Sequence, residues 1–280
     1  MSEFERMLLG FSANVAKAID HGDSDYLENG LVHCGKCHTP KQANITIGEN
    51  SAIVWCLCKC AEEQQKREDA ERHAAMRKAE SDRNRQSMIC DRKLLGATFE
   101  GSAPSARDTH AFKVCEKYCD KWQEVKRNSY GLYIYGNPGC GKTFLTACMA
   151  NRLIDDGERV LMTSLPRIIN DIFAAEDKNA VIRRAVSVPL LILDDFGTEQ
   201  QSAYNMSQVY RIIDDRYNAN KPLIITSNIG FDQIVHPQNV QQKQIYSRIV
   251  DMCTPVKVEG AWRMRQGMQK SKELHDLLGV

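Results

Sequence analysis

The 280-residue chain lacks a large net charge, and it lacks long hydrophobic runs. Its 37 basic and 36 acidic side chains leave a formal net charge of +1, which excludes a protein-wide positive field as a means of attracting nucleic acid. Any contact with DNA must therefore come from local clusters of Lys and Arg. No apolar stretch approaches the ~20 residues that cross a bilayer, and the first residues, MSEFER, include acids where a secretory signal is basic. We expect a cytoplasmic protein without membrane contact.

Cysteine is not scarce, and its distribution is informative. Disulfides are rare in the cytoplasm, so clustered cysteines there indicate metal binding. A Cys34-x-x-Cys37 pair is followed, after a hairpin-length interval, by a second group: Cys56, Cys58 and Cys60. Two pairs of thiolates complete a closed tetrahedral zinc site, which lets a small segment with little core fold.

Five cysteines compete for four positions around the zinc ion. The ligand set that we favour consists of Cys34, Cys37 and Cys56 with either Cys58 or Cys60. His33 and His38 are alternative ligands, and the competing interpretation of the whole group is free thiols.

The chain divides into three predicted regions. In residues 1–60, Ser2 and Glu5 form a capping box ahead of apolar residues at helical spacing, so we predict an N-terminal helix before the zinc module. That helix either docks a partner or packs on the small domain. Residues 61–97 mix charges of both signs, which is typical of a solvated connecting helix. Residues 98–280 form the third region, beginning with turn-forming residues.

The third region alternates short apolar runs with helical stretches. The apolar runs are YGLYIY, RVLMTS, VPLLILDD, KPLIITSN and TPVKVEG. Such alternation predicts an α/β fold with a mostly parallel sheet and helices on both faces.

The run GNPGCGKT, residues 136–143, fills the phosphate-binding motif G-x-x-x-x-G-K-[ST] between a predicted strand and a predicted helix. Its glycines allow backbone amides to turn inward, Lys142 supplies charge near the β- and γ-phosphates, and the Thr143 hydroxyl suits Mg²⁺. Packing is the expected role of Cys140 and Phe144. The predicted nucleotide site comprises Gly136, Asn137, Pro138, Gly139, Cys140, Gly141, Lys142, Thr143 and Phe144.

A pair of carboxylates follows the apolar run LLIL. Burying Asp194 and Asp195 at a strand end is unfavourable unless a metal ion or a water needs them. We predict that Asp194 binds Mg²⁺ together with Thr143, and that Asp195 orients the attacking water.

Two further polar residues follow later strands. Asn228 ends the run ITSN, where it either contacts the γ-phosphate or water, or caps the next turn. The residues alone favour an ordinary surface position for Arg248. The alternative is an arginine that reaches the phosphate of a neighbouring subunit and makes hydrolysis depend on assembly.

In this order the motifs resemble the AAA+ ATPases of the DnaC and DnaI helicase-loader family, which also contains IstB-type transposition ATPases. The similar region covers roughly residues 98–260 and carries GNPGCGKT (Walker A), LILDDFGTE (Walker B), YRIIDDRYNANKPLIITSN, and SRIVD before TPVKVEG. The resemblance implies a three-layer αβα fold with strand order 5-1-4-3-2 and weak, assembly-dependent hydrolysis of ATP to ADP with Mg²⁺. It also implies catalytic roles for Asp195 and Asn228, with Arg248 as the arginine finger.

The sequence departs from the general AAA+ pattern at two places. Asp195 stands where most members have Glu, and some thirty residues after Arg248 are too few for a separate helical lid. The short tail favours a switch in which ATP controls assembly.

The N-terminal zinc module is similar to that of DnaI-type loaders, whose N-terminal region holds the replicative helicase. We therefore predict an ATP-dependent loader of a hexameric, DnaB-type helicase onto single-stranded DNA, self-associating through its ATPase domain. The alternative is an IstB-like helper of a DNA transposase that binds duplex DNA.

The segment SLPRIINDIFAAEDKNAVIRRAV is the predicted DNA contact, with Phe173 stacking on a base. The residues expected to neutralise phosphates are Arg167, Lys178, Arg183 and Arg184. The competing interpretation is that Phe173 belongs to the apolar face of its own helix, which is formed by Ile168, Ile169 and Ile172.

Overall fold

A computed structural model describes residues 24–47, 50–102, 104–197, 203–260 and 274–278. The predicted N-terminal helix lies outside these residues. The chain divides into two compact units, Met1–Arg77 and Lys78–Val280. The three-part division made from the sequence stays a prediction. None of the described helices combines the length and the apolar character needed to cross a membrane.

The first unit contains two antiparallel β-ribbons and the start of a long helix. Strands β1 (Tyr26–Glu28) and β2 (Leu31–His33) are joined by Asn29 and Gly30, whose φ angles of 53° and 77° suit a tight hairpin turn. Strands β3 (Gln42–Ile47) and β4 (Asn50–Trp55) pair from Gln42 opposite Trp55 to Ile47 opposite Asn50.

Helix α1 (Lys59–Met88) is the charged helix expected from the sequence. Its surface is almost entirely exposed up to residue 80, as its mixed charges indicate. Met88 and the following Ile89 are buried in the core of the second unit, and Ile89 forms a parallel bridge with Met162.

The second unit is built on a five-stranded parallel sheet in the order β6-β7-β8-β5-β9. The strands are β5 (Gly131–Tyr135), β6 (Val160–Ser164), β7 (Leu190–Phe196), β8 (Leu223–Ser227) and β9 (Cys253–Lys257). Counted from β5 as the first strand, this is the order 5-1-4-3-2, so the predicted topology is confirmed. All five apolar runs identified in the sequence form strands.

The helices of the second unit connect these strands and pack on both faces of the sheet, since right-handed crossovers place them there. In chain order they are α2 (Pro104–Arg107), α3 (His110–Asp120), α4 (Trp122–Asn128), α5 (Lys142–Asp155), α6 (Leu165–Ala174), α7 (Lys178–Ser187), α8 (Ala203–Asn218), α9 (Phe231–Val235) and α10 (Val240–Met252). Side-chain caps fix several starts: Thr109 accepts from the Phe112 amide, and Asn239 from the Gln242 amide.

A fully buried arginine links the end of α7 to the segments that precede β7 and β8. The guanidinium of Arg216, on α8, donates to the backbone carbonyls of Ala185, Val186, Val188, Pro189 and Pro222. The first two carbonyls lie in the last turn of α7, and the other three lie in the short segments that enter β7 and β8. Arg216 therefore satisfies acceptors that the helix end and the two strands leave unpaired. Burial lowers the pKa of Arg216 to about 9.

Candidate nucleotide and metal sites

The phosphate-binding loop lies between β5 and α5, as the motif requires. Gly136, Gly139 and Gly141 have φ angles of 156°, 78° and 100°. A Cβ added to Gly136 would lie 2.2 Å from the Val258 carbonyl oxygen, so only glycine fits there. The loop therefore owes its shape to backbone conformations that side chains exclude.

Lys142 is buried at the N-terminus of α5, where its ammonium group has three oxygen partners. Nζ donates to the carbonyl oxygens of Gly136 at 2.9 Å and Asn137 at 3.1 Å, and to Asn228 Oδ1 at 2.7 Å. Cys140 Sγ lies 3.9 Å from the same nitrogen and is buried, in agreement with a packing role. The loop thus gathers one positive charge and the positive end of a helix at a single point.

Asn228 lies directly after β8 and is exposed at the tip of the strand. Its bond to Lys142 joins the tip of β8 to the phosphate-binding loop. The turn after β8 is capped by Ser227 instead, whose hydroxyl accepts from the Ile229 amide at 3.0 Å. The Asn228 side chain thus faces the phosphate-binding loop, and its role toward the nucleotide stays a prediction.

The two carboxylates of β7 differ in their surroundings. Asp194 is buried, and its Oδ1 accepts hydrogen bonds from Thr143 Oγ1 at 3.0 Å and Thr226 Oγ1 at 2.6 Å. Burial raises the pKa of Asp194, and the two hydroxyl donors oppose that shift. Asp194 and Thr143 therefore form one oxygen-rich pair suited to a hard cation such as Mg²⁺.

Asp195 is exposed and adopts the left-handed backbone conformation, with φ of 57°. The pairing of β7 with β8 is irregular between Leu193 and Phe196, and the Asp195 amide donates to Thr226 Oγ1 at 2.9 Å. An L-residue in this conformation costs about 1–2 kcal/mol, and such strain is concentrated at functional sites. The bulge turns Asp195 out of the buried strand.

A cavity of about 360 Å³ opens beside this bulge. It is lined by Thr143, Asp194, Asp195 and Arg167, and by Cys90 and Asp91 of the segment that follows α1. Arg167 Nη1 donates to the Cys90 carbonyl oxygen at 3.1 Å. The segment after α1 thus borders the same edge of the sheet as the two carboxylates.

Arg248 lies on α10, and its guanidinium packs against α8. Nε donates to Asp214 Oδ1 at 2.9 Å, and the guanidinium carbon lies 4.3 Å from the centre of the Tyr217 ring. Within the described part of the chain, its contacts do not include the phosphate-binding loop. The hydrogen bond to Asp214 raises the pKa of Arg248. Like any arginine, the group is charged at physiological pH.

The predicted DNA-contact segment forms α6 and α7. Ile168, Ile169 and Ile172 are buried, whereas Phe173 is 56% exposed, so Phe173 lies off the apolar face of α6. Its ring centre lies 4.7 Å from that of Tyr204, and Lys178 Nζ lies within 6.0 Å of both ring centres.

The other basic residues of this segment have partners in the protein. Arg184 donates to the Ser87 carbonyl at 2.8 Å, and Arg183 pairs with Asp177 at 2.8 Å. Arg167 is bound to Cys90, as described above. The structure therefore separates Lys178, beside exposed aromatic rings, from three arginines that are already hydrogen-bonded.

Four cysteines of the first unit converge. The Sγ atoms of Cys34, Cys37, Cys58 and Cys60 all lie within 4.8 Å of one another. Cys34 and Cys60 are 3.6 Å apart and Cys58 and Cys60 are 3.4 Å apart. Tetrahedral zinc with Zn–S bonds of ~2.3 Å requires separations of about 3.8 Å, so the donor set fits this ion.

The structure differs from the expected ligand set at Cys56. Cys56 Sγ points to the Pro40 carbonyl oxygen at 3.6 Å and lies outside the group, while both Cys58 and Cys60 belong to it. The reason is that α1 begins at Lys59, and this first turn brings Cys58 and Cys60 to the side that faces Cys34 and Cys37. Cys56 directly follows β4 and continues its extended path.

The two alternative histidine ligands have other partners. His33 Nδ1 lies 3.1 Å from the Leu31 carbonyl oxygen, and His38 Nδ1 lies 3.2 Å from the Tyr26 hydroxyl.

The hydrogen bond between Thr39 and Cys37 lowers the pKa of the Cys37 thiol to about 5, which favours the thiolate that binds metal.

Three of the residues at these sites were missed by the sequence analysis. The Thr226 hydroxyl donates to the Asp194 carboxylate and accepts from the Asp195 backbone amide, and its position beside them follows from the pairing of β7 with β8. Asp214 and Tyr217 contact Arg248, and the signal for them is the run DDRYN on the helix before β8.

Comparison with known proteins agrees with this geometry. The Bacillus subtilis replicative helicase loader DnaI is 25% identical over 62% of this chain and 60% of its own length. The Pseudomonas aeruginosa ATP-binding protein of insertion sequence IS21 is 28% identical over 49% of this chain and 54% of its length. The matched region thus spans less than two thirds of either relative.

Solved structures show the same fold. The crystal structure of DnaI superposes with a TM-score of 0.54 at 27% identity, covering 62% of this chain and 93% of that chain. The crystal structure of the DnaC helicase loader superposes with a TM-score of 0.52 at 20% identity, over 60% and 100%. The profile of the IstB-like ATP binding proteins matches residues 60–271, and the chain belongs to this family.

Proposed function

We propose that this protein is an ATP-dependent loader that places a hexameric replicative helicase on single-stranded DNA. The observation that carries the proposal is the four-cysteine cluster ahead of the ATP-binding unit, because an N-terminal zinc module resembles the DnaI-type loaders and not the usual IstB arrangement. The similarity to DnaI and DnaC supports the same choice.

The nucleotide site contributes binding and orientation. The phosphate-binding loop from Gly136 to Thr143 holds the triphosphate of ATP, and Lys142 exchanges its oxygen partners for the phosphates. Thr143 and Asp194 would hold Mg²⁺, which neutralises developing charge on the phosphates when it is bound. Asp195, turned outward by its bulge, and Asn228 orient the attacking water.

Arg248 completes the site of the next subunit. Its contacts lie on α8, and its charge is permanent, so it is suited to stabilise negative charge on a phosphate that a neighbouring protomer holds. Hydrolysis then depends on assembly. ATP serves as the signal that two protomers have come together correctly.

Zinc binding by the first unit is part of the proposal. The ligands are Cys34, Cys37, Cys58 and Cys60, and with four protein thiolates the ion has a structural role. We assign the grip on the helicase to this unit and to the residues before about 95.

The proposed DNA contact is the aromatic pair Phe173 and Tyr204 with Lys178. Replacing Phe173 by Ala removes a stacking surface, and we expect this change to weaken binding to single-stranded DNA by about 1–3 kcal/mol. Fluorescence anisotropy with a labelled oligothymidylate measures this change. Asn170→Ala, on an exposed position of the same helix, is the matched control and should bind as the wild type does.

A loading reaction tests the proposal as a whole. The protein is mixed with a replicative helicase, ATP and a single-stranded DNA circle bearing one annealed strand. Because a closed circle has no end to thread, displacement of the annealed strand requires an opened helicase ring. We expect displacement only with the loader present. Failure to act on the helicase, with stimulation of a transposase on duplex DNA, would support the alternative favoured by the IS21 relatives.

A further inference from the structure

Two residues of α8 contact Arg248, and a third residue of that helix orients one of the two. Its Nε donates to Asp214 Oδ1 at 2.9 Å, and the guanidinium lies over the Tyr217 ring at 4.3 Å from the ring centre. Asn218 Nδ2 donates to the other oxygen of Asp214 at 3.1 Å. Both oxygens of the carboxylate are therefore occupied, and its orientation is fixed from two sides.

The geometry leaves the end of the guanidinium available. The hydrogen bond of Arg248 uses Nε, which is the nitrogen nearest the chain, and in the described residues Nη1 and Nη2 have no further bond. Those two nitrogens form the planar fork that recognises phosphate oxygens in pairs. The Tyr217 ring restricts the plane of that fork by stacking.

The ion pair is also sheltered from solvent more than an ordinary surface pair. The Arg248 side chain is 31% exposed and the Asp214 side chain 22%. The next acid along the helix, Asp215, is 43% exposed and lies 3.8 Å from Arg211, so it has the geometry of a weak surface pair. The two adjacent aspartates thus differ in partner and in burial.

From this arrangement we propose that Asp214 and Tyr217 are positioning residues, which hold Arg248 in the orientation that reaches the triphosphate of the adjacent subunit. The proposal rests on the function proposed above for Arg248. An arginine that is already restricted loses less freedom when it docks, so holding it increases the rate at which the composite site hydrolyses ATP.

A double-mutant cycle tests the proposal in the full-length protein. We expect Asp214→Ala to lower kcat for ATP hydrolysis by the assembled protein about tenfold, with KM for ATP changed less than about twofold. Because Asp214 acts through Arg248, Asp214→Ala should have no effect in an Arg248→Ala background. Asp215→Ala is the matched control, with the same change of charge one residue away, and should retain wild-type turnover.

The conservative variants give a second readout. Tyr217→Phe keeps the ring and should retain turnover, whereas Tyr217→Leu should lower it. Asp214→Asn keeps the acceptor oxygen without the charge and should lie between wild type and Asp214→Ala; it also serves if Asp214→Ala does not fold, as judged by its thermal unfolding.

The outcomes separate this inference from the proposed function. If Arg248→Ala leaves turnover unchanged, the proposed arginine finger is wrong. If Arg248→Ala lowers turnover while Asp214→Ala and Asp214→Asn do not, only the positioning role is overturned. An increase in turnover, or a further loss in the Arg248→Ala background, would equally overturn it.

Discussion

Replacing Arg248 by Ala is expected to lower the rate of ATP hydrolysis by the assembled protein about a thousandfold. The reason is electrostatic: a guanidinium that reaches the transferred phosphate stabilises negative charge that is larger in the transition state than in bound ATP. Binding of ATP to the isolated subunit should be unchanged, since Arg248 contacts Asp214 and Tyr217 of its own chain. Turnover at saturating ATP and nucleotide affinity by titration measure the two effects separately.

Arg211→Ala is the control for loss of positive charge on the same surface. Arg211 is 49% exposed on α8, and its pair with Asp215 is long. We expect its turnover to remain within about twofold of the wild type, because surface ion pairs contribute little. Equal losses in the two variants would mean that overall charge, and not one arginine, governs hydrolysis.

The second large effect concerns the metal. Replacing Cys58 by Ser should abolish stoichiometric zinc binding and unfold the first unit. The buried residues in the described part of that unit are Cys34, Lys41 and Cys58, so it contains little apolar core to stabilise it. Structural zinc supplies about 10 kcal/mol to domains of this kind.

Cys56→Ser provides a matched control, since Cys56 lies two residues away and outside the cluster. We expect one zinc ion per chain in this variant and in the wild type, and none in Cys58→Ser, by metal analysis after dialysis. ATP binding by the second unit should persist in both variants. Loss of zinc on replacing Cys56, with retention on replacing Cys58, would reverse the ligand assignment.

The first unit also contains a stabilising ion pair beside the cysteines. Asp25 accepts from Lys41 Nζ at 2.6 Å and from the Gly35 amide at 3.2 Å, within the loop that carries Cys34 and Cys37. A buried lysine near a group of thiolates offsets their negative charge. The Asp25–Lys41 pair therefore stabilises the proposed metal site. The same pairing explains why the charged side chain of Lys41 is buried there.

The strands and the phosphate-binding loop of the ATP-binding unit could be predicted from the sequence because each is encoded by a short continuous segment. Each strand of the sheet is a continuous apolar run, and the loop between Gly136 and Thr143 is defined by glycines whose backbone angles side chains cannot adopt. The strand order came from resemblance, since the apolar runs alone do not state which strands are neighbours.

Long-range contacts between side chains were beyond the sequence. The role of Thr226 depends on the register of β7 against β8, and the bulge at Asp195 is a property of that pairing. The prediction that Cys56 is a ligand was wrong because the start of α1, between Cys58 and Cys60, decides which thiols face Cys34 and Cys37. Asp214 on α8 and Arg248 on α10 are in contact although they are 34 residues apart in the sequence.

The central claim is that one subunit's arginine acts on its neighbour's ATP, and mixing two inactive proteins tests it most directly. Arg248→Ala has an intact nucleotide site without an arginine to donate, and Lys142→Ala has the arginine without nucleotide binding. If Arg248 acts between subunits, the mixture should hydrolyse ATP although neither protein does so alone. A mixture as inactive as its components, with mixed assemblies present by size-exclusion chromatography, would contradict the account.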